Sequence, residues 1–130
     1  MSYPVMPEGV ARFFIGSGSG DPKIWSLAVA ENCVMHEPVG TPPVKGRADL
    51  YRSMMVGFLG AFSTFSGLIP MAAYAAGGEV AVHWKAEGVT NAGRNVSWSG
   101  IGVFRLNEDE LVEEMRGYFD PSVFKEIFAP

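Results

Sequence analysis

The sequence predicts an α+β domain in which helices cover one face of an antiparallel sheet. Apolar residues at helical spacing occur mainly in the first half of the chain, whereas long alternating stretches joined by hairpin-type connectors fill the second half. Helices followed by a meander of strands are typical of this two-layer class. With 130 residues, 48% of them hydrophobic, we expect one domain with a sizeable core over residues 1–130.

Two short helices are predicted at the start. The first begins at residues 7–8, because proline is tolerated at the first helical position and an acid there faces the helix dipole favourably. We expect the glycine-rich run 16–20 to end it, and Asp21 to cap a second helix that starts at Pro22. The glycine run has no Lys-Ser or Lys-Thr after it and no strand before it, so it indicates a helix–helix turn and not a phosphate loop.

Glu37 lies at the end of the first predicted strand. An apolar stretch precedes it, and prolines and glycines between Pro38 and Gly46 exclude regular structure after it. A carboxylate that a strand carries into an apolar cavity loses hydration. Its pKa then rises toward neutrality, and it can exchange protons with a substrate carbon. The alternative is a surface glutamate that starts a turn.

The remaining elements follow from periodicity. Apolar residues at intervals of four and three between Arg47 and Phe62 predict an amphipathic helix of about four turns. Asp120 and Pro121 introduce a short C-terminal helix over residues 122–128, which could lie across the open end of the sheet. Strands are predicted over residues 65–75, 79–88, 94–104 and 111–119.

The two central strands present one face to the interior. That face carries Val82, Trp84, Trp98, Gly100, Gly102 and Phe104. Two glycines where bulky residues would normally pack leave room, which favours a ligand cavity. A bulge or a close helix approach is the alternative explanation.

Composition excludes several classes of partner. The net charge is −4 and the ten Lys and Arg residues are scattered, so neither nucleic acid nor an anionic membrane is expected to bind. No apolar run approaches the roughly 20 residues of a membrane span, and we expect no secretory leader. We expect a soluble, cytoplasmic protein.

The single cysteine and the two histidines do not indicate a metal or redox site. Cys33 lies in an apolar run, so a buried thiol is expected. If Glu37 points inward, alternation turns His36 outward, and the same parity puts His83 on the outer sheet face. The spacing of the two histidines fits no metal motif, so we expect neither a metal nor another cofactor.

Four segments carry a resemblance to a known family. They are residues 34–40, the Gly-x-x-Pro-x-x-Gly frame over residues 40–46, residues 12–21 and residues 101–106. Together they resemble the Δ5-3-ketosteroid isomerase branch of the NTF2-like (SnoaL-like) superfamily. The resemblance implies a cone-shaped, curved antiparallel sheet wrapped over three helices, with a deep apolar pocket and often a homodimer through the outer sheet face.

The resemblance assigns Glu37 to the position of the family's general base, an aspartate that moves a proton between two carbons. In that family a tyrosine and a carboxylic acid kept neutral by its apolar site donate hydrogen bonds to the oxyanion. Phe13, Met54 and Gly102 stand at the positions of the tyrosine, a supporting tyrosine and the acid. Loss of one such donor costs roughly 3–4 kcal/mol, so other donors are needed. Candidates are the indole N–H groups of Trp84 and Trp98, or a water on the glycine backbone.

The resemblance implies an enzyme that moves a proton on a bulky apolar ketone, a steroid or a polyketide-like ring, with Glu37 as general base. A non-catalytic binding protein for steroids or other hydrophobic molecules is the alternative. A polyketide cyclase or epoxide hydrolase of the same fold is the third, and it would need a second polar group beside Glu37 to hold water. Gly100 and Gly102 are expected to widen the pocket. Its predicted lining is Phe13, Met54, Phe58, Val82, Trp84, Trp98, Phe104, Met115 and Phe119.

Overall fold

A computed structural model describes residues 3–130 as four helices and a seven-stranded sheet. The helical region in the middle of the chain contains α3 (Arg47–Leu50), a π-helical segment (Tyr51–Phe58) and a short 3-10 turn (Leu59–Ala61). The other elements are α1 (Glu8–Ser19), α2 (Pro22–Ser26), β1 (Val29–His36), β2 (Val44–Lys45), β3 (Phe62–Phe65), β4 (Ile69–Ala76), β5 (Glu79–Thr90), β6 (Asn95–Leu106), β7 (Val112–Tyr118) and α4 (Val123–Ile127).

The glycine-rich run was predicted to end the first helix, but residues 16–19 lie inside α1 and only the last residue of the run ends it. The helix continues to Ser19 and ends at Gly20, whose φ of 68° is left-handed. A Cβ at Gly16 would lie 2.8 Å from Trp25 Cα, so glycine at that position lets α1 and α2 pack backbone to backbone. The close packing of the two helices therefore explains why residue 16 is a glycine, although the sequence pattern suggested that this residue belonged to a turn.

The third helix covers the predicted residues, but most of it is π-helical. The apolar residues of an amphipathic stretch recur at intervals of three and four. An interval of four fits both the α-helical turn and the wider π-helical turn. The pattern therefore does not distinguish the two. The π-helical conformation is rare in proteins, and its short turns are often found at functional sites.

The strand predicted over residues 65–75 is two strands. β3 and β4 both pair with β5, through Phe65 with Gly88 and Ile69 with Lys85, and residues 66–68 interrupt them. Gly67 in this break has a φ of 80°, and a Cβ on it would lie 2.5 Å from Gly18 Cα. The chain leaves the sheet here because it packs on the end of α1.

The sheet has the order β2-β1-β7-β6-β5-β3, with β4 also paired to β5. Every pairing is antiparallel except that of β1 with β7, which is parallel because the last strand returns between β1 and β6. Helices lie on one side of this curved, unclosed sheet. The α+β fold class predicted from the sequence is confirmed.

The core lies between the helices and the inner face of the sheet. In β5, Val80, Val82, Trp84 and Ala86 are buried, as alternation predicts. Phe13 packs edge-to-face on Phe104 with ring centroids 5.1 Å apart. These contacts bury the aromatic side chains that dominate the stabilisation of the domain.

The polar groups on the outside follow the predicted parity. His83 is exposed, and His36 is partly exposed with Nε2 3.8 Å from Glu114 Oε2. Cys33 is fully buried, and burial raises the pKa of its thiol to about 12. Within residues 3–130, no helix combines the length and apolar character needed to cross a membrane.

Candidate active site

A cavity of about 450 Å³ lies between the inner face of the sheet, the π-helical segment and α4. This volume is in the range of small-molecule binding sites. Most of the lining is apolar or aromatic. The lining residues are Met35, Glu37, Pro42, Val44, Leu50, Ser53, Met54, Gly57, Phe58, Leu68, Trp84, Trp98, Phe119, Phe124 and Phe128.

The end of β1 positions Glu37. The strand pairs His36 with Arg116 of β7, so the next residue comes opposite Gly117. Glu37 Oε1 lies over that glycine: a Cβ added to Gly117 would be only 2.5 Å from Glu37 Oε1. The Val39 N–H donates to Gly117 O at 2.8 Å and holds the following loop against β7. A glycine on the neighbouring strand therefore makes the space that the carboxyl group occupies.

Burial governs the electrostatics of Glu37. The residue as a whole is partly exposed, but its Oε2 is excluded from solvent and has no hydrogen-bond partner among the described residues. Loss of hydration penalises the charged form and raises the pKa of the carboxyl group to about 8. Near neutral pH the group is mostly a neutral acid, and it ionises within one pH unit of that range. Such a pKa suits a group that both takes and returns a proton.

Few other polar groups line the cavity. Among its lining residues Glu37 is the one titratable side chain, and the others that carry a donor are Ser53, Trp84 and Trp98. No group of three or more His, Cys, Asp or Glu side chains within residues 3–130 could hold a metal ion. The described residues thus offer one proton carrier and a few neutral donors.

The structure brings half of the predicted site residues together. Glu37, Met54, Phe58, Trp84, Trp98 and Phe119 line the cavity. Six others lie outside its lining, in the core or the sheet floor behind it. They are Phe13, Val82, Gly100, Gly102, Phe104 and Met115.

The two glycines of β6 do not widen the cavity as expected. A Cβ at Gly100 would lie 2.7 Å from Trp84 Cζ2, and one at Gly102 would lie 2.9 Å from Phe104 Cε2. Aromatic rings from β5 and β6 therefore occupy the space that the missing side chains leave. Parity along a strand predicts which residues face inward, but it does not predict which neighbouring ring covers them.

Nine lining residues were not predicted from the sequence. Some had a usable signal: Met35 shares the inward parity of Glu37, and Phe124 and Phe128 lie in the helix expected across the open end. The rest come from the loop after Glu37 and β2, from α3 and the π-helical segment, and from the break between β3 and β4. They are Pro42, Val44, Leu50, Ser53, Gly57 and Leu68.

Exposure divides the cavity into two ends. The deep end is formed by Met35, Leu50, Leu68 and Trp84, none of which is more than 6% exposed. The mouth is formed by Pro42, Ser53, Gly57 and Phe128, all exposed to solvent.

Solved structures of similar shape support the fold. An NTF2-like protein of unknown function from Burkholderia pseudomallei K96243 has a TM-score of 0.80 at 13% identity, over 94% of this chain and 95% of that chain. A candidate SnoaL-like polyketide cyclase from Jannaschia sp. CCS1 has a TM-score of 0.78 at 19% identity, over 95% and 91% of the two chains. At these identities, the likeness shows the fold alone.

A third similar structure is SalBIII, described as an epoxide hydrolase/cyclase-like enzyme with a role in pyran ring formation in the polyether salinomycin. Its TM-score is 0.76 at 24% identity, over 88% of this chain and 90% of that chain. No curated protein matches this sequence closely enough to count as a relative.

The sequence profile of one family spans most of the chain. The SnoaL-like domain profile matches residues 10–115, which include β1, Glu37 and all the strands as far as Met115. Since this match covers well over half of the chain, the protein belongs to the SnoaL-like domain family.

Proposed function

We propose that this protein is an acid–base catalyst that closes a ring in a bulky, apolar, polyketide-like ketone, with Glu37 carrying the proton. The observation that carries the proposal is the buried Glu37 carboxyl group, which has no hydrogen-bond partner for Oε2 and stands as the one titratable group in an apolar cavity. Its pKa of about 8 suits proton exchange with carbon near neutral pH. The family membership supports the choice of reaction.

The chemistry needs a single proton carrier. The Glu37 carboxylate takes a proton from a carbon next to one ketone, and the resulting enolate attacks a second carbonyl carbon of the same molecule. A carbon–carbon bond forms, the second carbonyl oxygen becomes an alkoxide, and Glu37 returns its proton to that oxygen. The cyclic product has the composition of the substrate, so neither an oxidant nor a co-reactant is required.

Ring closure fits the cavity better than epoxide hydrolysis. Hydrolysis requires a positioned and activated water, whereas Glu37 is the one acid among the described lining residues. In a cyclisation the substrate supplies its own nucleophile. One carboxyl group and an apolar wall that folds the substrate then suffice.

A ketosteroid-isomerase-like shift of a double bond is the second candidate. The resemblance of residues 34–40 assigns Glu37 to the base, and a group of this pKa can move a proton between two carbons. The counterparts of the usual oxyanion donors, Phe13, Met54 and Gly102, carry no hydroxyl or carboxyl group. For this reason we rank the shift below ring closure.

Two substrates and one pair of variants test the proposal. The test compares the wild type with Glu37→Gln and with the control Glu31→Gln, which removes an exposed acid of β1. Each form is incubated with a 1,5-diketone that has an aryl ketone at one end and a methyl ketone at the other. Attack of the methyl carbon on the aryl ketone closes a six-membered ring, which becomes a conjugated cyclohexenone after loss of water. The same set is incubated with a Δ5-3-ketosteroid, and absorbance reports both products. Cyclohexenone from the wild type and Glu31→Gln, but not from Glu37→Gln, supports ring closure.

Other outcomes decide between the alternatives. Turnover of the steroid alone would select the isomerase. Binding of both compounds without turnover by any form would indicate a non-catalytic binding protein for hydrophobic molecules. Equal turnover by wild type and Glu37→Gln would reject Glu37 as the proton carrier.

We also propose that two copies pair through the outer face of the sheet. This face exposes Ile101 and Tyr118, which are paired on β6 and β7, and Tyr74 on β4, which lies on the other side of β5. Sedimentation of the wild type and of Tyr74→Ser with Ile101→Ser tests this. A monomeric wild type at micromolar concentration would exclude the pairing.

A further inference from the structure

The part of the sheet beside Glu37 is a floor without side chains. Gly117 of β7 and Gly102 of β6 are directly opposite each other in the antiparallel pair. Glu37 Oε1 lies over Gly117. Residues directly opposite are roughly 4.5–5.5 Å apart at Cα, so whatever lies over Gly102 is the next neighbour of the carboxyl group across the sheet.

The Trp84 indole lies at that neighbouring position. Its Nε1 is 3.7 Å from the place where a Cβ of Gly102 would be, and its Cζ2 is 2.7 Å from the corresponding place at Gly100. The nitrogen-bearing edge of the ring thus runs along the two glycines. The Phe104 ring edge also lies over Gly102, but Trp84 lines the cavity whereas Phe104 does not, so the indole is the ring on the cavity side.

Packing fixes the orientation of this indole. Trp84 is 3% exposed, and its ring makes edge contacts with Phe119 at 5.8 Å and with Trp98 at 6.5 Å between centroids. A ring enclosed by other rings and lying on a backbone floor cannot turn without moving them. Its N–H is therefore a preorganised donor, the kind that stabilises developing charge most effectively.

The other donors of the cavity are less well placed. Trp98 is four residues from Gly102 along β6, which is roughly 13 Å of strand, and it pairs with Ala86 at the far side of Trp84. Ser53 belongs to the exposed mouth. Among the side-chain donors that line the cavity, Trp84 is the one that lies over the strand position opposite that of Glu37.

We propose that the Trp84 indole N–H donates a hydrogen bond to the substrate carbonyl oxygen on which negative charge develops while Glu37 removes the proton from carbon. This inference rests on the proposed function and names the second catalytic group of the same site. One preorganised donor of this kind contributes roughly 10²- to 10³-fold in rate. The same donor would serve ring closure and a double-bond shift, since both pass through an enolate.

A pair of ligands tests the donor without any knowledge of the substrate. 2-Naphthol carries an oxygen that resembles an enolate oxygen, and naphthalene has the same rings without it. We expect the wild type to bind 2-naphthol roughly five- to tenfold more tightly than naphthalene, as one hydrogen bond allows. Trp84→Phe keeps a ring but removes the N–H, and it should reduce this ratio toward one.

The matched control is Trp25→Phe, which removes an indole N–H from the core outside the cavity. Trp25 is fully buried and its Nε1 has no partner among the described residues. We expect this variant to keep the wild-type ratio. A ratio in Trp84→Phe equal to that of the wild type, or a wild type that does not distinguish the two ligands, would overturn the proposal.

A spectroscopic measurement on the wild type covers the case in which Trp84→Phe does not fold. With ¹⁵N-labelled tryptophan, the indole proton of Trp84 should move downfield with 2-naphthol relative to naphthalene, whereas that of Trp25 should not. An unchanged Trp84 signal at ligand saturation contradicts the inference. Failure of the proposed function is seen separately, as equal turnover by wild type and Glu37→Gln.

Discussion

The deep end and the mouth of the cavity are built in different ways. Buried residues of β1, α3, β5 and the break between β3 and β4 form the deep end, where Glu37 meets the glycine floor of β6 and β7. The mouth is formed by exposed residues of a loop, the π-helical segment and the C-terminal end of α4. A rigid deep end can hold a proton carrier in a fixed geometry, while an exposed mouth can vary without disturbing the core. The comparison suggests that chemistry resides at one end and substrate selection at the other.

The largest effect should come from removing the proton carrier. Glu37→Gln keeps the shape of the side chain but cannot exchange a proton, so we expect a loss of roughly 10²- to 10⁴-fold in kcat. Since the reaction starts from the carboxylate, wild-type activity should rise as the pH passes about 8. A pH–rate profile that falls over this range would instead assign the neutral acid as the active form.

The next effect concerns stability. The pKa of Glu37 rises from 4.5 to about 8 on folding, so between these values the folded state holds a proton that the unfolded state has lost. The free energy of unfolding of the wild type should therefore fall from about pH 4.5 to about pH 8, by as much as roughly 4 kcal/mol. Glutamine does not titrate, so the stability of Glu37→Gln lacks this pH dependence.

Urea denaturation at pH 5 and pH 8.5 measures the difference. The stability of Glu37→Gln relative to the wild type should increase at the higher pH. The other carboxylates titrate in both proteins and cancel in the comparison. A relative stability that is the same at the two pH values would show that Glu37 is hydrated in the folded state.

A smaller change breaks the glycine floor. Gly117→Ala would place a methyl group 2.5 Å from Glu37 Oε1, so the carboxyl group or the strand must move. We expect a loss of roughly 1–3 kcal/mol in stability, typical of overpacking, and reduced turnover. Gly60→Ala is the control, because a Cβ at Gly60 meets nothing within 4 Å. Crystal structures or thermal melts in which both variants match the wild type would contradict the close contact between Glu37 and Gly117.

The smallest effect is expected at the mouth. Phe128 is 58% exposed and stacks on Phe124 with centroids 6.3 Å apart. Phe128→Ala should raise KM several-fold for a bulky substrate, with kcat and stability nearly unchanged. Val56→Ala is matched in exposure, at 58%, but does not line the cavity, and it should leave KM unchanged. A fall in kcat equal to the rise in KM would place Phe128 at the chemistry and remove the distinction between the two ends.

Much of the fold could be predicted because local signals and tertiary packing agree. The cap at Asp21, the alternation in β5 and the parity of His36 and Glu37 all depend on the chain within a few residues. The exceptions depend on distant partners. Gly16 belongs to a helix because Trp25 packs on it, and residues 66–68 leave the sheet because Gly18 lies beneath Gly67.

The candidate site shows the same limit. A strand pattern identifies the inward residues, and these include Glu37, Trp84 and Trp98. Whether an inward residue reaches the cavity depends on which neighbour covers it, and Phe13, Val82 and Phe104 are covered. Positions contributed by a loop or by π-helical turns, such as Pro42 and Ser53, have no periodic signal at all.

The sequence by itself determined the α+β class, the order of the main elements and the opposite directions of His36 and Glu37, because periodicity, capping and turn chemistry are local properties of the chain. Only the tertiary structure decided that Gly117 lies beneath the Glu37 carboxyl group and that Trp84 covers Gly100 and Gly102. It also decided that burial raises the pKa of Glu37 to about 8. These features depend on strand register and on desolvation, which arise when distant segments meet and exclude water.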